Sequence, residues 1–194
     1  MRIKTVVFMA LLSAVFIGAV STVHLLTKDT IMRNEAVFFR KALLGCTPLS
    51  FPTSIKELNN FYENKVKYHK TANPYYTVRD GKNLFYVLKV SGPGLWGEIV
   101  TLIGFKSDKK TITGINFISQ SETPGLGARI SESWFKKQFI GKTGPVTMVP
   151  EGTGTVAKTQ FDAITGATVT STAVKDIVNN ALVKISTVIR KGSD

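Results

Sequence analysis

The chain contains very few of the residues that bind metals and redox centres. Its 194 residues include one cysteine, Cys46, and two histidines, His24 and His69. This composition excludes an internal disulfide, a CxxCH haem site, a four-cysteine iron–sulfur cluster and a Cys/His zinc site. A protein of this composition that transfers electrons therefore needs an organic cofactor.

The single cysteine follows Leu43, Leu44 and Gly45, and these four residues together are similar to a lipoprotein processing site. Such a site directly follows the apolar segment of a signal peptide, whereas the charged stretch 28–41 lies between the two here. We therefore predict that Cys46 is buried and unreactive.

One long apolar segment, residues 5–26, runs for 22 positions without a charged side chain. At about 1.5 Å per residue a helix of this length reaches roughly 33 Å, which is enough to cross a hydrocarbon core of about 30 Å. Arg2 and Lys4 precede the segment, so the positive-inside rule places the amino terminus in the cytoplasm. A cleaved signal peptide with Ala19 at the cut is the alternative, and the length of the run favours an anchor.

These features predict a single-pass protein of the inner (cell) membrane. Residues 1–28 would form a cytoplasmic stub and a transmembrane anchor, and residues 29–194 one domain on the periplasmic or extracellular side. Residues 5–194 contain 23 of the 25 basic residues and all 13 acidic ones, so their net charge is 23 − 13 = +10. Such a charge favours acidic partner surfaces or anionic head groups. The basic residues are scattered rather than clustered with aromatics, so we predict no nucleic-acid binding.

Hydrophobic periodicity predicts an α+β fold, in which one external domain has a largely antiparallel sheet and flanking helices. Strands 75–79 and 83–90 flank the turn signal Asp80-Gly81, and two more strands are predicted at 98–105 and 111–118. Helices are predicted at 29–44, 131–142 and 173–189, and a loop at 47–60 that leads into a short helix.

Three glycine-containing loops, 91–97, 121–130 and 162–172, lie at the edges of these elements. The third leads into the strongest predicted helix, whose free N–H groups would favour an anion beside Thr168 to Thr172. The residue pattern equally allows Thr170, Ser171 or Thr172 to act as a simple helix cap.

No pairing of a nucleophile with a base is evident in the sequence, and we predict no catalytic residue and no metal site. Glu122 is the one carboxylate within a glycine loop. A lone acid is more often a solvated turn residue or an acceptor for backbone N–H groups than an acid–base catalyst.

Two motifs carry a family resemblance. Residues 162–170, D-A-I-T-G-A-T-V-T, resemble the flavinylation signature D-x-x-[ST]-G-A-T-x-[ST]. It occurs in the FMN-binding family that includes the G subunit of Rnf complexes and the C subunit of sodium-pumping NADH:quinone reductase. Residues 122–127, E-T-P-G-L-G, are similar to the family's other motif. Both motifs occur in the expected order behind a single amino-terminal membrane helix.

The resemblance implies a cofactor and the residues that hold it. FMN would be esterified through its phosphate to the hydroxyl of Thr168 by a dedicated flavin transferase. Leu95, Trp96 and Leu126 are candidates for the flat apolar wall that an isoalloxazine ring needs. The remaining predicted cofactor-binding residues come from the two motifs: Glu122, Thr123, Gly125, Asp162, Thr165, Gly166, Ala167 and Thr170.

The resemblance also implies a role as electron-transfer subunit of a Rnf-type ion-translocating ferredoxin:NAD oxidoreductase, together with other membrane and redox subunits. The chain length favours this role, whereas Gly94-Leu95-Trp96 is similar to the C subunit of the sodium-pumping reductase. Two alternatives stay open: a free-standing, membrane-anchored external flavoprotein reductase, and a non-redox module in which the TGAT run only caps a helix.

Overall fold

The structure, a computed structural model, describes residues 2–71, 73–154 and 157–188. The chain divides into two compact units, Met1–Phe38 and Phe39–Asp194. Residues 2–38 of the first unit belong to helix α1 (Arg2–Leu44), which continues beyond the predicted membrane segment. Within the described residues this is the one helix long and apolar enough to cross a membrane, and the side chains of residues 3–36 are exposed.

The second unit is built on a five-stranded antiparallel sheet whose strands follow the order of the chain. The strands are β1 (Val66–His69), β2 (Tyr75–Asp80), β3 (Asn83–Pro93), β4 (Glu98–Phe105) and β5 (Ile112–Ser119). A short parallel pair, β6 (Thr147–Val149) and β7 (Gln160–Asp162), follows them in sequence. The helices are α2 (Ile55–Lys65), a 3-10 turn (Gly127–Ser131), α3 (Ser133–Lys137) and α4 (Thr168–Val188). The predicted α+β fold is confirmed.

Alternation along the strands gives the sheet two buried faces. The larger core collects residues of β3, β4 and β5 with the aromatic side chains of α3 and the apolar stripe of α4, including Ile103, Phe135 and Val174. Val87 and Leu102 belong to the opposite face and are also fully buried. The sheet is therefore covered on both sides, which is what a central strand with almost no exposed residue, such as β4, requires.

Two paired glycines bring the end of α1 onto the second face of the sheet. Gly104 of β4 pairs with Gly114 of β5, and a Cβ at Gly104 would lie 2.1 Å from the carbonyl oxygen of Cys46. That carbonyl accepts a hydrogen bond from Thr113 Oγ1 at 2.6 Å. The Cys46 thiol is fully buried and donates to Leu102 O at 3.3 Å, and burial raises its pKa to about 12. The predicted buried cysteine is confirmed.

The predicted loop 47–60 is wrong in its second half, because α2 already begins at Ile55. Leu58 is fully buried, and Asn59 Oδ1 accepts a hydrogen bond of 2.5 Å from Arg40 Nη1. The Arg40 guanidinium also lies 5.1 Å from the centre of the Tyr62 ring. Tertiary contacts with the end of α1 therefore stabilise a helix whose sequence pattern is weak.

The predicted helix 131–142 is also too long. Beyond α3, Phe139 N and Ile140 N donate to carbonyls three residues back, and Gly141 N donates to Ile112 O of β5 at 2.8 Å. The segment tightens and then joins the sheet, so it does not continue as an α-helix. Phe135 and Phe139 are fully buried, as their grouping on one side predicts.

Candidate functional site

The three glycine loops meet at one surface cavity of about 260 Å³. Eight of the predicted cofactor-binding residues line it: Leu95, Glu122, Thr123, Leu126, Gly166, Ala167, Thr168 and Thr170. Gly127 and Val169 complete the lining and were not predicted. Trp96, Gly125, Asp162 and Thr165 do not line the cavity, although each belongs to a loop that forms it.

Glu122 joins all three loops through one buried carboxylate, which is only 4% exposed. Its Oε1 accepts hydrogen bonds from the backbone N–H groups of Leu95 at 2.9 Å and Trp96 at 3.2 Å. Its Oε2 accepts a bond of 2.5 Å from Thr170 Oγ1 in the first turn of α4. Of the ordinary roles that the sequence allowed, the structure therefore supports the hydrogen-bond acceptor and not the solvated turn residue.

Two glycines leave the space that this carboxylate needs. A Cβ at Gly94 would lie 2.5 Å from Glu122 Oε1, and one at Gly127 would lie 2.6 Å from Thr170 Oγ1. Gly94 N also donates to Gly97 O at 2.7 Å and closes the first loop. Glycine is required at both positions for close packing against Glu122 rather than for a positive φ.

Two further hydrogen bonds fix the loop before α4. Glu151 Oε2 accepts a hydrogen bond of 2.7 Å from Thr165 N, and Ser171 Oγ accepts one of 3.0 Å from Ile164 N. Gly166 has a φ of +78°, the left-handed region that favours glycine. Thr170 and Ser171 thus hold loops together from inside the helix, and α4 begins five residues before the predicted position 173.

Thr168 is the first residue of α4, and its side chain is exposed. Within the residues that the structure describes, its hydroxyl has no hydrogen-bond partner, in contrast to those of Thr170 and Ser171. The first bond into the helix is from Ser171 N to Ala167 O at 3.0 Å, so the N–H groups of Thr168 and Val169 precede it. Free N–H groups and the positive end of the helix dipole favour an anion at this position.

Large apolar side chains are exposed at the cavity that Thr168 lines and on the loop beside it. Leu95, Trp96, Leu126 and Val169 are 53%, 69%, 43% and 55% exposed. Trp96 is held in place because its indole Nε1 donates to Thr123 Oγ1 at 3.0 Å. Such a concentration of large exposed apolar side chains at a mainly apolar cavity with a few polar groups is typical of a surface that binds a ligand.

Asp162, the first residue of the signature, has a different position. Its Oδ2 accepts hydrogen bonds from Gly152 N at 3.1 Å and Gly154 N at 3.5 Å, while its backbone N–H donates to Gln138 Oε1 at 2.7 Å. Asp162 therefore fixes the turn after β6 against β7, and contributes to the cavity only through the loop that it supports.

An ion pair that the sequence did not reveal supports the same loop. Arg129 Nη2 lies 2.8 Å from Glu151 Oε1, and the Arg129 guanidinium lies 5.2 Å from the centre of the Trp134 ring. Hydrogen bonds from Arg129 and from Thr165 lower the pKa of Glu151 to about 2. Arg129, Glu151 and Thr165 are separated in sequence, and neither motif contains Glu151. Its role is therefore visible only in the folded structure.

The residues present fit a phosphorylated aromatic ligand. A phosphate suits the exposed hydroxyl and free N–H groups at the start of α4, and Leu95, Leu126 and Trp96 offer apolar surface to a ring. Fold and site are thus those of a domain suited to an anionic aromatic cofactor at its surface.

Comparison with known proteins agrees with a cofactor-binding domain. Residues 94–183 match the FMN-binding domain family. The chain is 30% identical over 186 residues to the G subunit of the ion-translocating oxidoreductase complex of Methanosarcina acetivorans, with 94% of both chains covered. It is 41% identical over 106 residues to the G subunit of the Na(+)-translocating ferredoxin:NAD(+) oxidoreductase complex of Acetobacterium woodii, where the match spans 53% of this chain and 50% of that protein.

A solved structure also has this fold. The C subunit of the Na(+)-translocating NADH-quinone reductase of Parabacteroides distasonis superimposes with a TM-score of 0.68 at 27% identity, over 81% of this chain and 96% of that one. The chain belongs to the FMN-binding family that includes these G and C subunits.

Proposed function

We propose that this chain is the electron-transfer subunit of a Rnf-type, ion-translocating ferredoxin:NAD oxidoreductase complex, with FMN esterified through its phosphate to Thr168. The exposed Thr168 hydroxyl is the observation that carries the proposal. It lies at the start of α4 without an internal partner among the described residues, while the neighbouring Thr170 and Ser171 hydroxyls are engaged in holding loops. A hydroxyl that is not needed for packing is open to modification.

The residues of the cavity would bind and orient the cofactor rather than perform acid–base chemistry. The N–H groups of Thr168 and Val169 would meet the charge of the phosphate diester, and Gly166 and Ala167 leave room beside the hydroxyl. Leu95 and Leu126 would exclude water from one side of the ring. FMN supplies the redox chemistry when bound, because the chain itself has no cysteine cluster or haem ligand set.

The proposed anchoring is a membrane helix within residues 1–28 with the amino terminus in the cytoplasm, and an external FMN-binding domain of residues 29–194. A flavin transferase would attach the cofactor on that side. A covalent ester prevents loss of the cofactor to the surroundings. The complex would supply the other membrane and redox subunits, including the ion-translocating ones.

The assignment to the Rnf-type complex is supported by length. The match to the G subunit from Methanosarcina acetivorans covers 94% of both chains, whereas the match to the C subunit of the Na(+)-translocating NADH-quinone reductase of Vibrio vulnificus covers 42% of that protein. A role as the C subunit of such a reductase is the second candidate, because the fold resembles that of a solved C subunit. The proteins that co-purify with the chain from its native membrane decide between them.

Intact-mass measurement tests the covalent cofactor. Formation of the ester from the hydroxyl and the phosphate releases water, so the chain should gain the mass of one FMN less one water when a flavin transferase is co-expressed. Thr168→Ala should lose this mass and the flavin absorbance, while Thr168→Ser retains a hydroxyl at the same place. Thr159→Ala is the control, since its exposed hydroxyl lies outside the cavity and outside both motifs and should be dispensable. Flavin attached to the Thr168→Ala chain would contradict the proposal.

A further inference from the structure

A second recess, of about 670 Å³, shares no lining residue with the candidate cofactor site. It is formed by β1, β2 and β3, the last turn of α2, and the turn between β4 and β5. We call this recess the basic groove. No part of it belongs to the glycine loops or to the two sequence motifs.

The floor of the basic groove consists of residues from one face of the sheet. Lys67 pairs with Thr77, Thr77 with Tyr86, and His69 with Tyr75, so side chains from three adjacent strands lie side by side. From Tyr75 to Arg79 the face extends roughly 13 Å along β2, at about 3.3 Å per residue. The groove therefore has the length of about four residues of extended chain.

Cations outnumber acids around the groove. Lys65, Lys67, Arg79 and Lys109 line it, and Glu63 is the one acidic residue in the lining. Lys65 forms an ion pair with Asp80. In the described part of the chain no carboxylate lies within ion-pair distance of Lys67, Arg79 or Lys109. Three of the positive charges thus face one recess without an ion-pair partner among the described residues.

One of these cations is held in place by its turn. Lys109 has a φ of +57°, which is uncommon for a residue other than glycine. Asp108 Oδ1 accepts hydrogen bonds from Lys110 N and Thr111 N, both at 2.9 Å, and so stabilises the turn. The ammonium group of Lys109 lies 5.9 Å from the centre of the Tyr86 ring. Its position at the groove is therefore specified by local structure and by the floor.

The floor itself is aromatic and ordered. The His69 ring stacks on Tyr75 with a centroid distance of 4.6 Å, and its Nε2 lies 2.9 Å from Thr77 Oγ1. Burial and the charge of Lys67 lower the pKa of His69. Neutral rings below and cations at the rim give a groove that would accept carboxylates from above.

We propose that the basic groove binds an acidic, extended segment of a partner polypeptide. A bilayer surface is flat and would not reach the recessed floor formed by Tyr75 and Thr77. A small enclosed ligand is disfavoured because the rim residues Lys67 and Arg79 are exposed to solvent. An extended segment matches the length of the groove, and its carboxylates match the unpaired cations.

The identity of the partner rests on the proposed function, since a subunit of a membrane complex has neighbouring chains to contact. Charge complementarity of this kind sets orientation and association rate more than total affinity. The groove would thus orient the domain on its complex while leaving the cofactor site open.

A zero-length carbodiimide cross-link tests the contact in native membranes, because the reagent joins an amine to a carboxylate only when the two are in contact. Peptides containing Lys67 or Lys109 should be found joined to an Asp or Glu of another subunit. Lys56 and Lys184 are exposed controls outside the groove and should stay unlinked. Equal linkage of groove and control lysines would overturn the proposal.

A binding experiment separates the possible occupants. The full chain in nanodiscs of zwitterionic lipid is titrated with a fluorescent hexaglutamate peptide, and with vesicles containing phosphatidylglycerol. The substitutions Lys67→Glu, Arg79→Glu and Lys109→Glu together should weaken peptide binding by about tenfold or more. Lys56→Glu, Lys137→Glu and Lys184→Glu, which change the net charge equally, should have little effect.

Three outcomes overturn the proposed acidic occupant: equal weakening of peptide binding in both triple variants, groove-dependent binding of vesicles without binding of peptide, or no binding of peptide at all. The flavin mass of each chain is measured in parallel. A chain that was co-expressed with a flavin transferase, carries no flavin and still binds the peptide through the groove would contradict the proposed function and support the acidic occupant. A flavin-loaded chain that does not bind the peptide would support the proposed function and contradict the acidic occupant.

Discussion

The Glu122 carboxylate accepts a hydrogen bond of 2.5 Å from the hydroxyl of Thr170, two residues after the proposed attachment point. Because the same carboxylate also accepts from Leu95 N and Trp96 N, the apolar wall and the start of α4 are fixed to one buried group. The position of the wall relative to Thr168 therefore depends on Glu122, although Glu122 performs no acid–base step in this arrangement.

We expect Glu122→Ala to lower the free energy of unfolding by about 2–4 kcal/mol, because it leaves two N–H groups and one hydroxyl without their acceptor. Glu122→Gln keeps one carbonyl oxygen for the two N–H groups, and the Thr170 hydroxyl can rotate to accept from the new amide. It should cost less than half as much. Urea denaturation measures both.

The absorbance spectrum of the attached flavin provides a separate readout of the Glu122 variants, since it reports the surroundings of the ring.

Thr170→Val removes only the hydrogen bond between Glu122 and α4, and it should change the stability less than Glu122→Ala does. If Glu122→Ala proves as stable as the wild type, the carboxylate does not hold the loops.

Two glycines of the first loop offer a matched pair of substitutions. Gly94→Ala places a methyl group 2.5 Å from Glu122 Oε1 and 2.9 Å from Gly97 O, whereas the Cβ of Gly97→Ala meets nothing closer than Ser121 Cβ at 3.5 Å. We expect Gly94→Ala to destabilise the domain by roughly 1–3 kcal/mol and Gly97→Ala to be nearly neutral. Thermal unfolding of the two variants gives the comparison, and similar melting temperatures would contradict the packing around Glu122.

The sequence predicted those parts of the fold that depend on local patterns. The hairpin at Asp80-Gly81 follows from alternation around a turn signal, and β4 was predicted at its observed bounds, Glu98–Phe105. Eight of the residues that line the cavity were predicted to bind a cofactor, seven of them from the two motifs and Leu95 from the first glycine loop. What the sequence did not show are contacts between distant segments: Glu151 with Thr165, or the β6–β7 pair, whose three-residue strands are too short for periodicity.

Contacts that local sequence patterns do not show also explain the errors in the predicted helix ends. Ser171 and Thr170 are typical of positions before a helix, which favours a start at 173. In the structure their side chains instead bond to Ile164 N and Glu122, so both residues are accommodated inside α4. A helix end depends on tertiary partners that local propensity does not include.

Low pH should loosen the loop before α4. The Glu151 carboxyl has a pKa of about 2 in the folded protein against an ordinary value of 4.5, since Arg129 and Thr165 N stabilise its ionised form. A lowered pKa contributes stability that is present above about pH 4.5 and is lost as the pH falls towards 2. Glu151→Gln should therefore be less stable than the wild type at pH 6, with a difference that narrows below pH 4.5.

Urea denaturation at several pH values measures this difference. Asp176→Asn is the control, because that carboxylate is 61% exposed and pairs only with the adjacent Lys175 among the described residues; its effect should be small throughout. A Glu151→Gln chain with the wild-type pH profile would show that the ion pair does not support the loop.

The buried thiol of Cys46 provides a probe of the contact between the end of α1 and the sheet. Its pKa is raised to about 12 and its side chain has no exposed surface, so a disulfide reagent at pH 8 should label the folded chain at least about tenfold more slowly than the urea-unfolded one. Gly104→Ala introduces a Cβ 2.1 Å from the backbone carbonyl oxygen of Cys46, which cannot easily move, and should cost more than about 3 kcal/mol and speed the labelling. Gly18→Ala meets no atom within 4 Å and should leave the labelling rate unchanged. Rapid labelling of the folded wild type would mean that the paired glycines do not hold this segment against the strands.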